Sequence, residues 1–249
     1  MRIQRAGERY PGGDPATGVE TRHAFSFGPH YDPDNLRFGS LIACNEERLA
    51  PGAGFDEHPH GHTEIVTWVV EGELTHRDST GRATLVRAGD LQHLSAASGV
   101  RHVERNDGDA PLTFVQMWLA PLSFDGEPAY EVVRGHGGDL AYEVPGATLR
   151  VHRPEKDERT PLPDGDFVYV HVTRGTVRVG TEDLAPGDAA RATDEKGLTL
   201  LATGGAEVLV WEMRRAGQGV SGGSLLLAAQ DLGRGAGAPP APRARAADS

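Results

Sequence analysis

At 249 residues the chain can hold one large domain or two small ones, and 38 % hydrophobic with 24 % charged residues is the balance of a soluble protein. A formal net charge of -11 argues against a surface for nucleic-acid phosphates, and no apolar run approaches the roughly 20 residues that span a bilayer. The single cysteine, Cys44, excludes an internal disulfide, and Met1–Arg5 lacks the apolar core of a signal peptide, so a cytoplasmic location is expected.

Thirty-three glycines and seventeen prolines predict many turns, hence many short strands. Residues 1–20, with Tyr10-Pro11-Gly12-Gly13-Asp14-Pro15, read as a loose leader. His23–Phe27 alternates apolar and polar residues as a short strand does. Gly39–Asn45 is an apolar run of strand length, followed by a proline-glycine loop over Leu49–Gly54. Thr63–Val70, dense in β-branched residues, is the clearest strand. Leu74–Arg77 and Ala83–Arg87 flank the turn Asp78-Ser79-Thr80-Gly81, and Leu112–Leu119 closes this half. Helical periodicity is almost absent.

The second half repeats the series. Phe167–Val172, the turn Thr173-Arg174-Gly175-Thr176 and Val177–Val179 parallel Thr67–Val70, Glu71-Gly72-Glu73 and Leu74–His76, while Val208–Met213 parallels Phe114–Leu119. A strand–turn series used twice predicts an all-β fold of two tandem antiparallel barrels, residues 21–130 and 131–232. The second copy has only His171 near the place where the first has its polar cluster, so it is expected to be structural. Ser224–Leu232 reads as one short helix or strand. Residues 233–249, mostly Gly, Ala, Pro and Arg, cannot bury enough apolar surface to order themselves and are expected to be a disordered tail.

The chemistry is concentrated in His58-Pro59-His60-Gly61-His62-Thr63-Glu64 and in His102-Val103-Glu104. Alternate residues of a strand share a face, so His58 with His60, and His102 with Glu104, can converge from two strands. Three imidazoles and a carboxylate suit a divalent transition metal: Fe(II), Mn, Ni or Cu with one or two positions left open, or Zn in a closed, catalytically inert shell. His62 and Glu64 share the parity of His58 and His60, so Glu64 is an alternative carboxylate ligand unless a bulge at Gly61 resets the alternation. Otherwise His62, Glu64, Gln92 and His93 are candidates for the pocket rim or for supporting the ligands from behind, and His76 has a similar reading. Trp68, Trp118 and Trp211 sit in strand patterns and read as core.

Gly52, His58, His60 and Glu64 resemble the first cupin motif, and His102 to Asn106 the end of the second. More closely, Asn45-Glu46-Glu47, Leu49 to Phe55, His58-Pro59-His60, Glu71 to Ser79, Ala88 to Gln92 and Ser98 to Glu104 resemble the pirin family of two-barrel cupins. His62 and His93 depart from the usual pattern of that family. The resemblance implies a metal, usually iron, held by His58, His60, His102 and Glu104 in the first barrel. It further implies an O2-dependent opening of a flavonol such as quercetin, with Glu104 as the base for the 3-hydroxyl proton. The alternative it carries is a metal- or redox-dependent regulator that binds a protein partner. Two barrels fused in one chain are compatible with a monomer.

Overall fold

The computed structural model describes residues 1–123, 126–135 and 137–215. The tail expected over 233–249 and the element expected at Ser224–Leu232 lie outside these residues. The fold is all-β apart from two short 3-10 turns, and it forms two jelly-roll units, each a large antiparallel sheet facing a four-stranded one. The sheets face each other as sandwiches and do not close into continuous barrels.

In the first unit the large sheet runs Ala129–Val133, Leu91–Ser95, Glu64–Glu71, Leu112–Leu119, Leu41–Leu49, Val19–His23, Tyr10–Asp14. Its small sheet runs Gly54–His60, Val100–Arg105, Glu73–Asp78, Ala83–Arg87. In the second unit the large sheet runs Arg2–Gln4, Ala189–Thr193, Phe167–Arg174, Glu207–Met213, Ala147–His152, Leu140–Val144. The small one runs Arg159–Pro161, Thr199–Ala202, Val177–Val179, Glu182–Leu184. Leu112–Leu119 and Ala83–Arg87 match the sequence reading residue for residue. The short strand expected over His23–Phe27 lies at Val19–His23 instead, because the chain leaves the sheet after His23 and turns back at Phe27 to His30.

Residues 1–20 are not a leader. Arg2–Gln4 pairs with Ala189–Thr193 of the second unit, and Tyr10–Asp14 pairs with Val19–His23 of the first. The glycines that suggested looseness answer a steric need instead. A Cβ on Gly13 would lie 2.5 Å from the Val19 carbonyl oxygen, and its φ of +79° is one that side chains disfavour. At the other end of the first unit, Ala129–Val133 crosses the boundary expected at 130 and pairs with Leu91–Ser95.

Strand alternation sorts the side chains into separate cores. Along Leu112–Leu119, Val115, Met117 and Leu119 face the second unit, where they join Trp68, Leu149, Tyr169 and Trp211 in a core between the two large sheets. Leu112 and Phe114 face the interior of the first sandwich with Leu49, Val69 and Leu74, and Trp118 lies in a separate interior patch with Ala43, Ile65 and Leu94. The second sandwich is filled by aliphatic residues, among them Val168, Val170, Val172, Val208 and Val210. Each such side chain contributes about 1.5–3 kcal/mol when fully buried.

His171 is therefore misplaced by the sequence reading. It shares the parity of Tyr169 and faces the other unit, not the interior of its own. There Arg9, only 3 % exposed, donates through Nε to the Gly187 carbonyl (2.8 Å), through Nη1 to the Cys44 carbonyl (3.3 Å) and through Nη2 to His171 Nδ1 (2.7 Å). A guanidinium only donates, so His171 accepts on Nδ1 and carries its proton on Nε2, which lies 3.0 Å from Glu46 Oε1. Burial opposes the Glu46 charge, but His171 and Arg9 outweigh it and hold the carboxyl at about 2.

Candidate metal centre

Three adjacent strands of the first unit's small sheet carry the polar cluster. His102 lies opposite His58 on one side and Asp78 on the other, while Glu104 lies opposite His76. Between these rows Gly54–His60 bulges: His102 to Glu104 spans the same length of sheet as His58 to Phe55. The extra residue re-aims the histidines of that strand, a frequent device beside functional sites.

The ring centres of His58, His60 and His102 form a triangle, each pair 4.7 Å apart. His58 Nδ1 donates to the Asp56 carbonyl at 2.7 Å, which leaves Nε2 as a bare lone pair. That Nε2 stands 3.1 Å from His102 Nε2, and the buried His60 Nε2 has no hydrogen-bond partner. Lone pairs gathered in this way need a proton or a cation between them, and the donor set suits a borderline transition metal.

Glu104, 1 % exposed, accepts from Gln92 Nε2 on Oε1 at 2.5 Å and from Gln116 Nε2 on Oε2 at 2.7 Å. Gln92 Oε1 in turn accepts from the Tyr130 hydroxyl (3.0 Å) and Gln116 Oε1 from Trp118 Nε1 (3.0 Å), which fixes both amide orientations. The donor atoms fall into two groups, each within 4.8 Å: His58, His60 and His102, and His76, His102 and Glu104. His102 belongs to both. Three of the four expected ligands thus share one group, and Glu104 stands in the second, which meets the histidine triangle only at His102.

Burial, reinforced by the neighbouring imidazoles, depresses His60 to about 3 and His102 to about 4. Burial alone would raise Glu104, but His102, His76 and the Gln116 amide prevail and hold it below the usual carboxylate range. At neutral pH His60 and His102 are therefore neutral imidazoles and Glu104 is an ionised carboxylate. A linkage prediction follows from the two histidines. Their folded values lie below the ordinary histidine value of 6.5, so the unfolded chain binds more protons between those limits. The stability they support is complete above about pH 6.5 and is lost as pH falls toward 4. Urea midpoints of metal-free protein should drop across that window, and a flat profile would contradict the assignment.

Under this cluster the large sheet carries a transverse row of polar residues, one per strand and in register: Gln92, Thr67, Gln116, Asn45, His23. The row divides the interior apolar residues into the two patches described above. The second unit places Val170 opposite Val210 across two central strands of its large sheet, a pairing of valines where the first pairs Thr67 with Gln116. The first unit forgoes that apolar burial and satisfies its polar groups internally, as buried polar groups require. His23 Nδ1, for example, lies 2.9 Å from Asn45 Oδ1.

The other expected rim residues divide by parity. Gln92 faces the interior and holds Glu104. His93 and Glu64 face the opposite side of the sheet, toward the second unit. There His93 Nε2 lies 2.7 Å from Glu64 Oε2, His93 Nδ1 lies 2.8 Å from the Tyr142 hydroxyl, and Ser95 donates to Glu64 Oε1 at 3.0 Å. Neither is at the rim of the metal pocket. His62 is exposed in the turn that separates Gly54–His60 from Glu64–Glu71, with a φ of +55° and its amide donating to the Ala97 carbonyl. The alternation that linked Glu64 to His58 and His60 assumed one continuous strand, and this turn breaks it. Gln116 and Tyr130 were not selected as site residues from the sequence, whereas His76 was a candidate for supporting the ligands from behind. A polar Gln116 between Phe114 and Trp118, at the parity of interior residues, was the available signal for the first. Trp118, read as core, also meets His60 edge-on at 5.0 Å.

The chain matches the family model described as Pirin over residues 4–119, and that described as Quercetinase C-terminal cupin domain over 149–213. A Mycobacterium tuberculosis protein that carries the provisional name quercetin 2,3-dioxygenase is 37 % identical over 233 residues, 86 % of this chain and 95 % of that one. The protein named quercetin 2,3-dioxygenase in Escherichia coli K12 is 30 % identical over 211 residues, 78 % of this chain and 91 % of that one. Among solved structures, a bacterial pirin from Escherichia coli in complex with nickel(II) superposes with a TM-score of 0.80 at 28 % identity, covering 86 % of this chain and 99 % of that one.

Proposed function

The chain belongs to the pirin family, and from that premise we propose that it is a cytoplasmic, metal-dependent dioxygenase that opens the ring of a flavonol with O2. The observation that carries this reading is the triangle of His58, His60 and His102, with the buried His60 Nε2 left without a partner and Glu104 beside His102. The relatives named as quercetin 2,3-dioxygenases support the substrate class, and the nickel(II) complex of a pirin supports a divalent ion. We assign iron(II) to the site, with nickel, manganese, copper and zinc as competitors for the same donors. When bound, the ion supplies Lewis acidity and a template on which an ionised flavonol and O2 meet.

The protein's own part is orientation and proton handling. His58, His60 and His102 present ring nitrogens, and the Asp56 carbonyl orients His58 through Nδ1. Gln92 and Gln116 hold Glu104 by both oxygens, so it enters the site ionised and aligned. Glu104 is the group we assign to receive the 3-hydroxyl proton of the flavonol. Its low proton affinity keeps it a weak base until the substrate displaces one of those amides. Trp118 packs edge-on against the His60 ring. The second unit supplies packing and no chemistry.

Quercetin absorbance is the direct test. Metal-loaded protein should bleach it in air and leave it intact under nitrogen. Bleaching at the same rate by metal-free protein would overturn the proposal.

A further inference from the structure

His76 is fully buried on Glu73–Asp78, directly opposite Glu104. Its Nε2 lies 3.3 Å from Asp78 Oδ2, and Asp78 is itself fixed by the Thr80 amide (2.9 Å), the Thr80 hydroxyl (2.5 Å) and the Arg82 amide (3.3 Å) on Oδ1. With a carboxylate at Nε2, the His76 proton belongs on Nε2, and Nδ1 is a bare lone pair. That Nδ1 is buried and has no partner. Tyr130 stacks on the ring, 4.4 Å between centres and 19° from parallel, so the imidazole is held flat in one place.

A second orphan lies beside it. His102 Nδ1 is buried without a partner, and the donor atoms of His76, His102 and Glu104 lie within 4.8 Å of one another. On the metal-binding reading of the site, on which this step rests, His102 uses Nε2 toward His58 and so must carry its proton on Nδ1. Glu104 already accepts from two amides, whereas His76 Nδ1 accepts from nothing. An unpaired donor and an unpaired acceptor buried side by side each cost free energy until they meet.

We infer that His76 is a positioning residue for the metal centre, forming a relay in which His102 Nδ1–H donates to His76 Nδ1 and His76 Nε2–H donates to Asp78. The relay fixes the His102 tautomer and increases its donor strength toward the ion. Supports of this kind behind a metal-binding histidine are typically worth 10- to 100-fold in affinity.

Cobalt(II) is the probe, its affinity for the full chain measured by competition with a chromophoric chelator and the shape of its shell by its absorption spectrum. His76→Phe keeps a flat ring beside Tyr130 and removes both nitrogens. His76→Asn removes the ring and places an amide oxygen near the Nδ1 position. The relay predicts a loss of roughly 10- to 100-fold in cobalt affinity and an altered spectrum for His76→Phe, with most of the affinity regained in His76→Asn. The reverse order, His76→Phe tolerated and His76→Asn not, would show that the ring matters only as packing and would overturn the inference. Should neither variant fold, Asp78→Asn is expected to weaken cobalt binding by a smaller factor, and unchanged affinity there would overturn it equally. Wild-type protein that takes up no cobalt would instead remove the metal reading itself, so the two failures are distinct.

Discussion

Replacing His58 and His60 together with alanine should leave a folded protein that retains no metal and no longer bleaches a flavonol. Both side chains come from the bulged edge strand of the small sheet, and neither belongs to the apolar clusters that hold the units together. Truncating His58 also removes one of the two Nε2 atoms now 3.1 Å apart, His102 keeping the other, so the fold loses little. The chemistry loses far more. Lewis-acid stabilisation is worth several kcal/mol, and each 1.4 kcal/mol is a factor of ten in rate, so decay should slow on the order of a thousandfold. Elemental analysis, circular dichroism and the aerobic assay on one preparation would decide it. Flavonol decay at the wild-type rate in the double variant would end the enzymatic reading.

The second large effect lies far from that site. Arg9→Met is expected to cost about 3–5 kcal/mol of stability, because the guanidinium satisfies two buried carbonyls and His171 and is the positive end of a bridge to Glu46. Methionine fills most of the volume but leaves those acceptors unpaired at the junction of the two units. Arg9→Lys should recover little of the loss, since one ammonium on a flexible stem cannot serve three acceptors in the fork geometry of Arg9. Urea unfolding at neutral pH measures both. A loss below about 1 kcal/mol, the range of an exposed ion pair, would show that the bridge is dispensable.

What could be read from the sequence was whatever depends on one strand at a time. The His58/His60 and His102/Glu104 pairs obey simple alternation within a strand, and so does Leu112–Leu119, whose limits were found to the residue. The failures sit where one element ends and another begins. Glu64 has the parity of His60 by counting, yet the turn at His62 starts a new strand in the other sheet. His93 neighbours Gln92 in sequence, yet one looks at the second unit while the other holds Glu104. Which face of a central strand is inside depends on a partner sheet, and in this fold both faces of the large sheets are covered. A polar residue such as Gln116 or His171 then gives no hint of the side it serves until the sheets are stacked.

The pairing of Arg2–Gln4 with Ala189–Thr193 bears on how the molecule comes into being. Gln4 and its side-chain partner Arg191 stand 187 positions apart in the chain. Contacts at such separation are slow to form, since a long loop must close before they reward the chain. Until Arg2–Gln4 pairs with it, Ala189–Thr193 is an unpatched border, open to neighbouring chains during synthesis.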